Sequence, residues 1–333
     1  MPQESTRPPR RGPAALGDVP RDNHRSAMPR LVIHVGPHKT GSTSVQAAFH
    51  EQRARLARDG IFYPQPPAGE FPESHSDAAF LLLHGKLREF DAWLMDSWRQ
   101  ARVAACDTLL LSSEEFSNAR VMHPLRSALR RFQRETGAEL RPLSVLRPAV
   151  EHAVSSVLQH LTGEAGFFAR KRYDLRRWAC TFVQQKRNAQ RFFTALGGRT
   201  VPVAGFPPDR LAARLLEAGL DRPFPDITTP IRNSSADKFS ESPTLLVSYP
   251  LRVMSTIAHG GSIVSEACTT RAVETIRSLS MNDEAFARLQ EDFLKAIREQ
   301  IALGVADADR PQPLWARLRA RVTALARRIG REP

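Results

Sequence analysis

The sequence predicts an α/β protein with a parallel sheet flanked by helices on both faces, followed by a helical C-terminal portion. Two observations support this class. Four short runs of leucine and β-branched residues have the length and apolar character of buried strands. Longer runs of helical periodicity separate them, and strands that alternate with helices form parallel sheets with a helix layer on each face. After about residue 240 the pattern is helical throughout.

The elements can be assigned in order along the chain. The run RLVIHV at 30–35 predicts the first strand, and residues 41–60 predict a helix that Gly60 ends. Pro148 predicts the start of a later helix, because a proline in the first turn lacks only an N–H that would have no helical partner there. The other predicted elements are an extended piece at 60–67, helices at 76–104, 123–136 and 173–196, and strands at 107–113, 140–146 and 199–206.

Composition divides the chain into three regions. Residues 1–29 are rich in proline, arginine and small polar residues, which predicts a disordered tail because such a segment buries too little apolar surface to fold. Residues 30–310 are expected to form the α/β domain. Residues 311–333 predict a basic amphipathic helix, with apolar residues on one face and arginines over much of the rest. Met28, just before the first strand, is an alternative translation start.

The charge, the cysteines and the hydropathy of the chain limit its class and compartment. Its 333 residues carry a net charge of +13, which favours anionic partners. Three widely spaced cysteines form no CxxC pair, so we expect neither a disulfide framework nor a zinc site. No apolar run approaches the roughly 20 residues of a membrane span, and the N-terminus lacks the apolar core of a signal peptide. We therefore expect a cytoplasmic protein, with peripheral contact at the inner membrane surface through residues 311–333 as a further hypothesis.

The loop between the first predicted strand and helix has the composition of an anion site. It reads HVGPHKTGSTSVQ over residues 34–46. Backbone N–H groups and the dipole at a helix N-terminus favour a bound anion, glycines allow a tight turn, and hydroxyls add donors. A nucleoside triphosphatase loop follows the pattern GxxxxGK[ST], with its lysine after the second glycine. Here Gly36 and Gly41 have that spacing, but Ser42 stands at the lysine position and Lys39 lies inside the loop. Ordinary ATPase chemistry is therefore disfavoured.

The segment PHKTGSTS resembles the 5′-phosphosulfate loop of the PAPS-dependent sulfotransferases, and especially of their bacterial members. In that family a lysine is followed by Thr or Ser, then Gly, Ser or Thr, and Thr, and the donor PAPS is 3′-phosphoadenosine 5′-phosphosulfate. The resemblance covers about residues 30–206. It implies a P-loop-like α/β fold and transfer of a sulfuryl group from PAPS to a hydroxyl or amine without a metal ion. It also implies that Lys39 neutralises charge on the bridging oxygen. The donor contacts that it implies in the loop are His38, Lys39, Thr40, Gly41, Ser42, Thr43 and Ser44.

The resemblance implies a second motif at the 3′-phosphate of the donor. This motif is a strand that ends in an arginine, with a serine eight residues later in the next helix. The segment SVLRPAVEHAVSS contains Arg147 and Ser155 at this spacing. A guanidinium suits the role, because it can hold a phosphate by two parallel charge-assisted hydrogen bonds. In the later segment IRNSS, Arg232 and Asn233 are further donor contacts if this is the loop that family members fold over the nucleotide; an ordinary Asn/Ser turn is the alternative.

Sulfuryl transfer also requires a base that takes the proton of the acceptor. Functional residues of open α/β sheets gather at the carboxyl ends of strands, and Glu114 and Glu115 follow the strand at 107–113. Family members use a Glu or a His in this part of the chain. Glu114 is the first candidate because it comes directly after the strand, Glu115 is the second, and His38 in the loop is another catalytic candidate. The alternative is that both carboxylates only cap a helix. His34, within the strand, is expected to pack in the core.

Two other functions fit parts of the sequence. A P-loop-type nucleotide-dependent kinase would use the same loop for ATP, with Glu114 beside a magnesium ion. A basic membrane-surface or nucleic-acid-binding protein would use the positive charge and residues 311–333. Neither an aromatic platform nor a recognised nucleic-acid module accompanies that charge, so we expect no nucleic-acid partner. For the sulfotransferase, the partners are PAPS, its product PAP and an acceptor that the sequence does not identify. The basic charge favours an anionic sugar or glycolipid.

Overall fold

A five-stranded sheet, parallel throughout, forms the centre of the molecule, with the strand order β2-β3-β1-β4-β5. The computed structural model describes residues 28–38, 40–163, 175–202, 208–224, 227–230 and 283–309. The strands are β1 (Arg30–His34), β2 (Ile61–Phe62), β3 (Thr108–Ser112), β4 (Glu139–Leu146) and β5 (Arg199–Pro202). The helices are α1 (Ser42–Glu51), α2 (Arg53–Arg58), α3 (Ser76–Leu83), α4 (Leu87–Val103), α5 (Ala119–Thr136), α6 (Ala149–Gly163), α7 (Leu175–Thr194), α8 (Leu211–Leu220) and α9 (Asp283–Asp309).

The central strand β1 lies between β3 and β4. His34 at its end is in register with Ser112 of β3 and with Leu143 of β4. β1 and β3 end in register, and β4 continues three residues past Leu143 to Leu146, so all three strands end at the same edge of the sheet. This edge holds the loop, the two glutamates and the arginine that the sequence singled out.

Alternating side chains of β1 enter two separate hydrophobic clusters, which shows that both faces of the sheet are covered. Leu31 and Ile33 pack with residues of α3, α4, α5 and α7 on one face. Val32 packs with residues of α1, α2 and α8 on the other. Such double burial is why the strands are continuous apolar runs rather than alternating ones. The predicted α/β class, with helices on both faces, is confirmed.

A third hydrophobic cluster joins α6, α7 and α9 beside the sheet. Ala153 and Val157 of α6 meet Ala179 of α7 and Ile301 of α9 there. The predicted helical C-terminal portion is confirmed for residues 283–309. Gly304 of α9 lies so close to α7 that an added Cβ would overlap the main chain of Arg176. Within the described residues, no helix combines the length and apolarity needed to cross a bilayer.

Two predicted helices are each divided in the structure. The region 76–104 forms α3 and α4, because Gly85 adopts a left-handed φ of 76° and ends α3. The region 41–60 forms α1 and α2, which meet at Gln52 without a proline or glycine, so the sequence pattern carries no mark of this break. Of the other predicted regions, residues 1–27, 203–207, 231–282 and 310–333 lie outside the described residues, and with them the expected tail and the basic C-terminal helix.

Candidate functional site

The loop after β1 is held between the two neighbouring strands. The main-chain N–H of Ser113 donates to the carbonyl oxygen of His34 at 3.1 Å, and that of Val35 donates to the carbonyl oxygen of Leu143 at 2.8 Å. The loop then turns into α1 at Gly41, whose φ of 89° is in the left-handed region that glycine tolerates. A ten-residue helix therefore starts over the carboxyl edge of three adjacent strands.

The imidazole of His34 fills the space directly beneath the loop. It is fully buried, and its Nδ1 lies 2.8 Å from Ser112 Oγ. Its Nε2 is buried without a hydrogen-bond partner among the described residues. A Cβ added at Gly36 would lie 2.5 Å from this Nε2, which explains why the first glycine of the loop is required. Burial lowers the pKa of His34 to about 4, so the ring is neutral at pH 7.

The loop hydroxyls divide into buried and accessible ones. Thr40 Oγ1 donates to the carbonyl oxygen of Pro37 at 2.7 Å and lies 3.4 Å from Ser42 Oγ, and both side chains are buried. These two residues therefore shape the loop from within. Thr43 is exposed and Ser44 is half-buried in the first turn of α1.

Three of the predicted site residues lie outside the described residues. They are Lys39, Arg232 and Asn233. The contacts predicted for them stay predictions.

The two candidate carboxylates are brought to the loop. Glu114 and Glu115 begin a short 3-10 helix, Glu114–Ser117, that Ser113 caps by accepting from the N–H of Glu115. His38 Nε2 lies 3.2 Å from Glu115 Oε1, and His38 Nδ1 lies 3.7 Å from Glu114 Oε1. Gln46 of α1 donates from Nε2 to Glu114 Oε2 at 2.7 Å. The carboxylates thus contact the loop and α1 in addition to starting a helix.

The negative charge of Glu115 is surrounded by groups from the loop, from the start of α5 and from α7. The hydrogen bond from His38 is the main cause that lowers the pKa of Glu115, and Asn118 and Lys186 act in the same direction. Lys186 belongs to α7, and burial lowers its pKa to about 8 although Glu115 opposes that shift. Glu115 is therefore a carboxylate at pH 7 with cationic or hydrogen-bonding groups around it.

Arg147 follows β4 directly and precedes α6, as predicted from its motif. It is half-buried, and burial lowers its pKa against the opposing charge of Glu151. Ser155 is half-buried in the second turn of α6. The side chain of α6 that reaches the loop is His152, whose Nε2 lies 2.6 Å from the carbonyl oxygen of His38.

His152 donates this bond. Burial lowers its pKa to about 4, so the ring is neutral at pH 7, and a neutral imidazole nitrogen that faces a carbonyl oxygen must carry the proton. The charges of Arg147 and His38 act on His152 as well. The arginine motif and the loop are therefore adjacent.

A cavity of about 350 Å³ lies beside these groups. The loop, the end of β4, the start of α6 and one face of α7 line it together. Its lining residues that bear on the site are Val35, Pro37, Arg147, His152, Phe182 and Lys186. The loop and the arginine motif therefore open onto one shared cleft.

Three residues of this site were not predicted from the sequence: Gln46, His152 and Lys186. Gln46 did carry a signal, since it is a polar residue inside the buried run of α1. His152 lies three residues before Ser155, on a neighbouring position of the same helix face, so the arginine motif pointed to its neighbourhood. Lys186 carried no signal, because one lysine in a basic amphipathic helix resembles any solvated charge.

The chain was compared with protein-family models, curated proteins and solved structures, and none of them matches it. The functional interpretation accordingly depends on the residues and contacts described above.

Proposed function

We propose that the protein is a PAPS-dependent sulfotransferase that transfers a sulfuryl group to a hydroxyl or amine of its acceptor. One observation supports this most directly: the loop after β1 and Arg147 after β4 line the same cavity. A donor with a phosphosulfate at one end and a 3′-phosphate at the other needs an anion site at each of these places.

The described residues fit such a donor. The buried Nε2 of His34 has no partner in the described chain and lies under the loop. Gly36 and Gly41 allow the loop to pack closely on His34 and Leu211, and the N–H groups at the start of α1 suit an anionic group. Arg147 is half-buried and lines the same cavity, and a guanidinium suits a phosphate.

PAPS supplies an activated sulfuryl group: the acceptor oxygen or nitrogen bonds to sulfur while the bond from sulfur to the bridging phosphate oxygen breaks, and PAP leaves with the electron pair. The chain must then hold the donor, accept one proton and neutralise charge on the leaving oxygen. Lys39 is our candidate for the last task, by its place in the PHKTGSTS segment. Positioned charges of this kind supply much of the rate in related group transfers.

Glu114 is our first candidate for the proton acceptor. Its carboxylate is oriented by the amide of Gln46 at 2.7 Å, and a neutral donor leaves it able to accept a proton. Glu115 interacts with His38 and Lys186, and the contact with His38 is the main cause of its lowered pKa, which makes it a poorer proton acceptor than an ordinary carboxylate. We assign Glu115 to the alternative role of orienting His38.

The compartment of this reaction is proposed to be the cytoplasm. The thiols of Cys106 and Cys180 are free, as a reducing compartment would keep them. A contact with the inner membrane surface would depend on residues 311–333, which lie outside the described residues, and stays a hypothesis.

Thermal unfolding with PAP, compared with ADP, tests the proposal. PAP and ADP share an adenosine with a 5′-phosphate, and each carries one further phosphate, at the 3′ position in PAP and at the 5′ β position in ADP. A 3′-phosphate site therefore prefers PAP. We expect PAP at 100 times its Kd to add about 2.7 kcal/mol to the free energy of unfolding, and ADP to add clearly less. A stronger effect of ADP, with magnesium-dependent transfer from labelled ATP, would support the kinase instead.

Activity provides a second test. We expect transfer of labelled sulfate from PAPS without added magnesium, once an acceptor is supplied. Replacing Lys39 by Ala should remove nearly all transfer while the fold survives, and replacing the exposed Lys86 by Ala is the matched control. Full transfer by the Lys39→Ala variant would refute the proposed role of the loop lysine.

A further inference from the structure

The 350 Å³ cavity has a chemical character of its own, beyond the donor groups at its edge. Val183 and Phe193 of α7 are buried in its wall, and Ala189 lies between them in sequence. Phe182, also in the wall, is stacked on Trp178 with ring centroids 4.9 Å apart. Ligand pockets are commonly apolar cavities of about 300–1,000 Å³ with few polar groups. This one suits a small body with one or two rings.

Lys186 of α7 also lines the cavity, where its ammonium group can contact a ligand. Its Nζ lies 5.2 Å from the ring centroid of Phe182, and the side chain is half-buried. The neighbouring Arg187 is already used, since it pairs with Asp309 and donates to the carbonyl oxygen of Ala308. A partly desolvated ammonium attracts an anion more strongly than an exposed one does.

Lys186 also connects the cavity to the candidate catalytic groups. The charges of Lys186 and Glu115 influence each other. Ser117, from the same 3-10 helix as Glu114 and Glu115, lines the cavity. A ligand whose apolar body occupies the cavity therefore has its polar end near the carboxylates and the loop.

We infer that the α7 side of this cavity binds the acceptor, beside a donor held along the loop and Arg147. The acceptor is a small aromatic or alicyclic alcohol carrying one anionic group that Lys186 recognises. That the ligand is the sulfuryl acceptor rests on the proposed function. The chemical class of the ligand rests on the cavity alone. It differs from the sugar or glycolipid that net charge favoured, because a sugar would leave the hydroxyls of its ring against Val183, Phe182 and Phe193. Unpaired polar groups in an apolar wall oppose binding.

Equilibrium binding of a matched ligand pair to the full chain tests this inference. The probes are 3-hydroxy-2-naphthoate and 3-hydroxy-2-naphthamide, which share their rings and hydroxyl and differ by one charge. We expect the naphthoate to bind at least about 10-fold more tightly, as a charge-assisted interaction with Lys186 provides. The Lys186→Met variant should lose this preference, while the control variant Lys86→Met, which removes an exposed lysine, should keep it.

Three outcomes of these binding measurements would overturn the inference. The first is equal affinity for the two probes, which the unmodified protein alone can show, so that this test does not depend on any variant folding. The second is a preference for the naphthoate that survives in Lys186→Met. The third is tighter binding of glucose 6-phosphate than of the naphthoate, which would favour the sugar.

Saturating PAP separates this inference from the proposed function. If the α7 side of the cavity is the acceptor site, PAP should bind and leave the naphthoate bound, with Val183→Trp weakening the naphthoate and not PAP. Displacement of the naphthoate by PAP would show that the nucleotide also occupies the α7 side, and would overturn the inference while the proposed function stands. A chain that binds the naphthoate as expected but not PAP would refute the sulfotransferase and leave the anion-binding cavity supported.

Discussion

His152 Nε2 lies 2.6 Å from the carbonyl oxygen of His38, so a side chain of α6 holds the loop after β1. The imidazole of the same His38 lies 3.2 Å from Glu115. One loop residue thereby joins the elements that follow three adjacent strands. A change in the position of the loop should therefore move the carboxylates and the arginine motif as well.

Removing the donor of His152 should loosen the loop. We expect His152→Phe to weaken PAP binding, because the carbonyl of His38 loses a partly buried hydrogen bond, and such a bond contributes about 0.5–1.5 kcal/mol. His152→Gln keeps an N–H donor and should recover part of the affinity. Calorimetric titration with PAP measures both, with urea unfolding to record overall stability. Unchanged PAP affinity in His152→Phe would show that the bond does not position the loop.

Removing each carboxylate separately should identify the base. We expect Glu114→Gln to lower turnover by about 10²–10⁴-fold, the usual contribution of a general base, with little change in PAP affinity. Glu115→Gln should have the smaller effect on turnover. Steady-state kinetics with PAPS and an accepted alcohol measures both. If Glu114→Gln keeps full turnover and Glu115→Gln does not, the assignment of the two residues must be exchanged.

Arg147 should determine the preference for a 3′-phosphate. Replacing it by Met removes a charged hydrogen-bond donor, and hydrogen bonds to charged groups contribute about 1.5–3 kcal/mol. We expect the affinity for PAP to fall about 10- to 100-fold while that for ADP changes much less. Arg88→Met, an exposed arginine of α4, is the matched control. A parallel loss of both nucleotides in Arg147→Met would argue against a 3′-phosphate contact.

The close approach of Gly36 to His34 predicts an interaction between two mutations. Gly36→Ala should destabilise the chain by about 1–3 kcal/mol, the usual cost of overpacking, because the new Cβ would lie 2.5 Å from His34 Nε2. In a His34→Ala background the space is open, and the same substitution should cost less. Urea unfolding of the four proteins gives the interaction energy. Strictly additive effects would mean that His34 does not determine the glycine at position 36.

Buried histidines should make the fold sensitive to acid. Burial lowers the pKa of His34, His75 and His152 from 6.5 to about 4. Between these values the unfolded chain binds protons that the folded chain excludes, so the free energy of unfolding is complete above pH 6.5 and falls as the pH decreases towards 4. Each histidine lowers the free energy of unfolding by up to about 1.4 kcal/mol for each pH unit of this decrease.

Unfolding by urea at pH 7, about 6 and about 5 measures this slope. His75→Gln should reduce the slope, because it removes one group that the fold keeps neutral. His84→Gln replaces an exposed histidine and should leave the slope unchanged. The same slope in His75→Gln as in the original chain would contradict the buried, neutral state of His75.

The order of strands and helices could be predicted because local patterns carry it. Parallel strands covered on both faces require continuous apolar runs, and helices require a repeat near 3.6 residues. The break between α1 and α2 at Gln52 could not be predicted, since no residue there disfavours a helix. Gly85, by contrast, was visible in the sequence as a point where a helix can end.

The grouping of Glu114 and Glu115 with His38 followed from one general rule, that functional residues gather at the carboxyl ends of parallel strands. The hydrogen-bond and charge partners of these residues could not be predicted from that rule. Gln46 on Glu114, His152 on the loop and Lys186 near Glu115 each come from a helix whose position depends on packing. A pattern read along the chain contains no distance between helices.

The sequence by itself determined the class of the sheet, the glycine-rich turn after its first strand and the residues placed at the strand ends, because these depend on neighbours in the chain. Only the tertiary structure decided that His152 meets a carbonyl 114 residues earlier, and that the loop shares a cavity with α7. Strand order and helix packing set those distances, and both arise from burying apolar surface between segments that are remote in sequence.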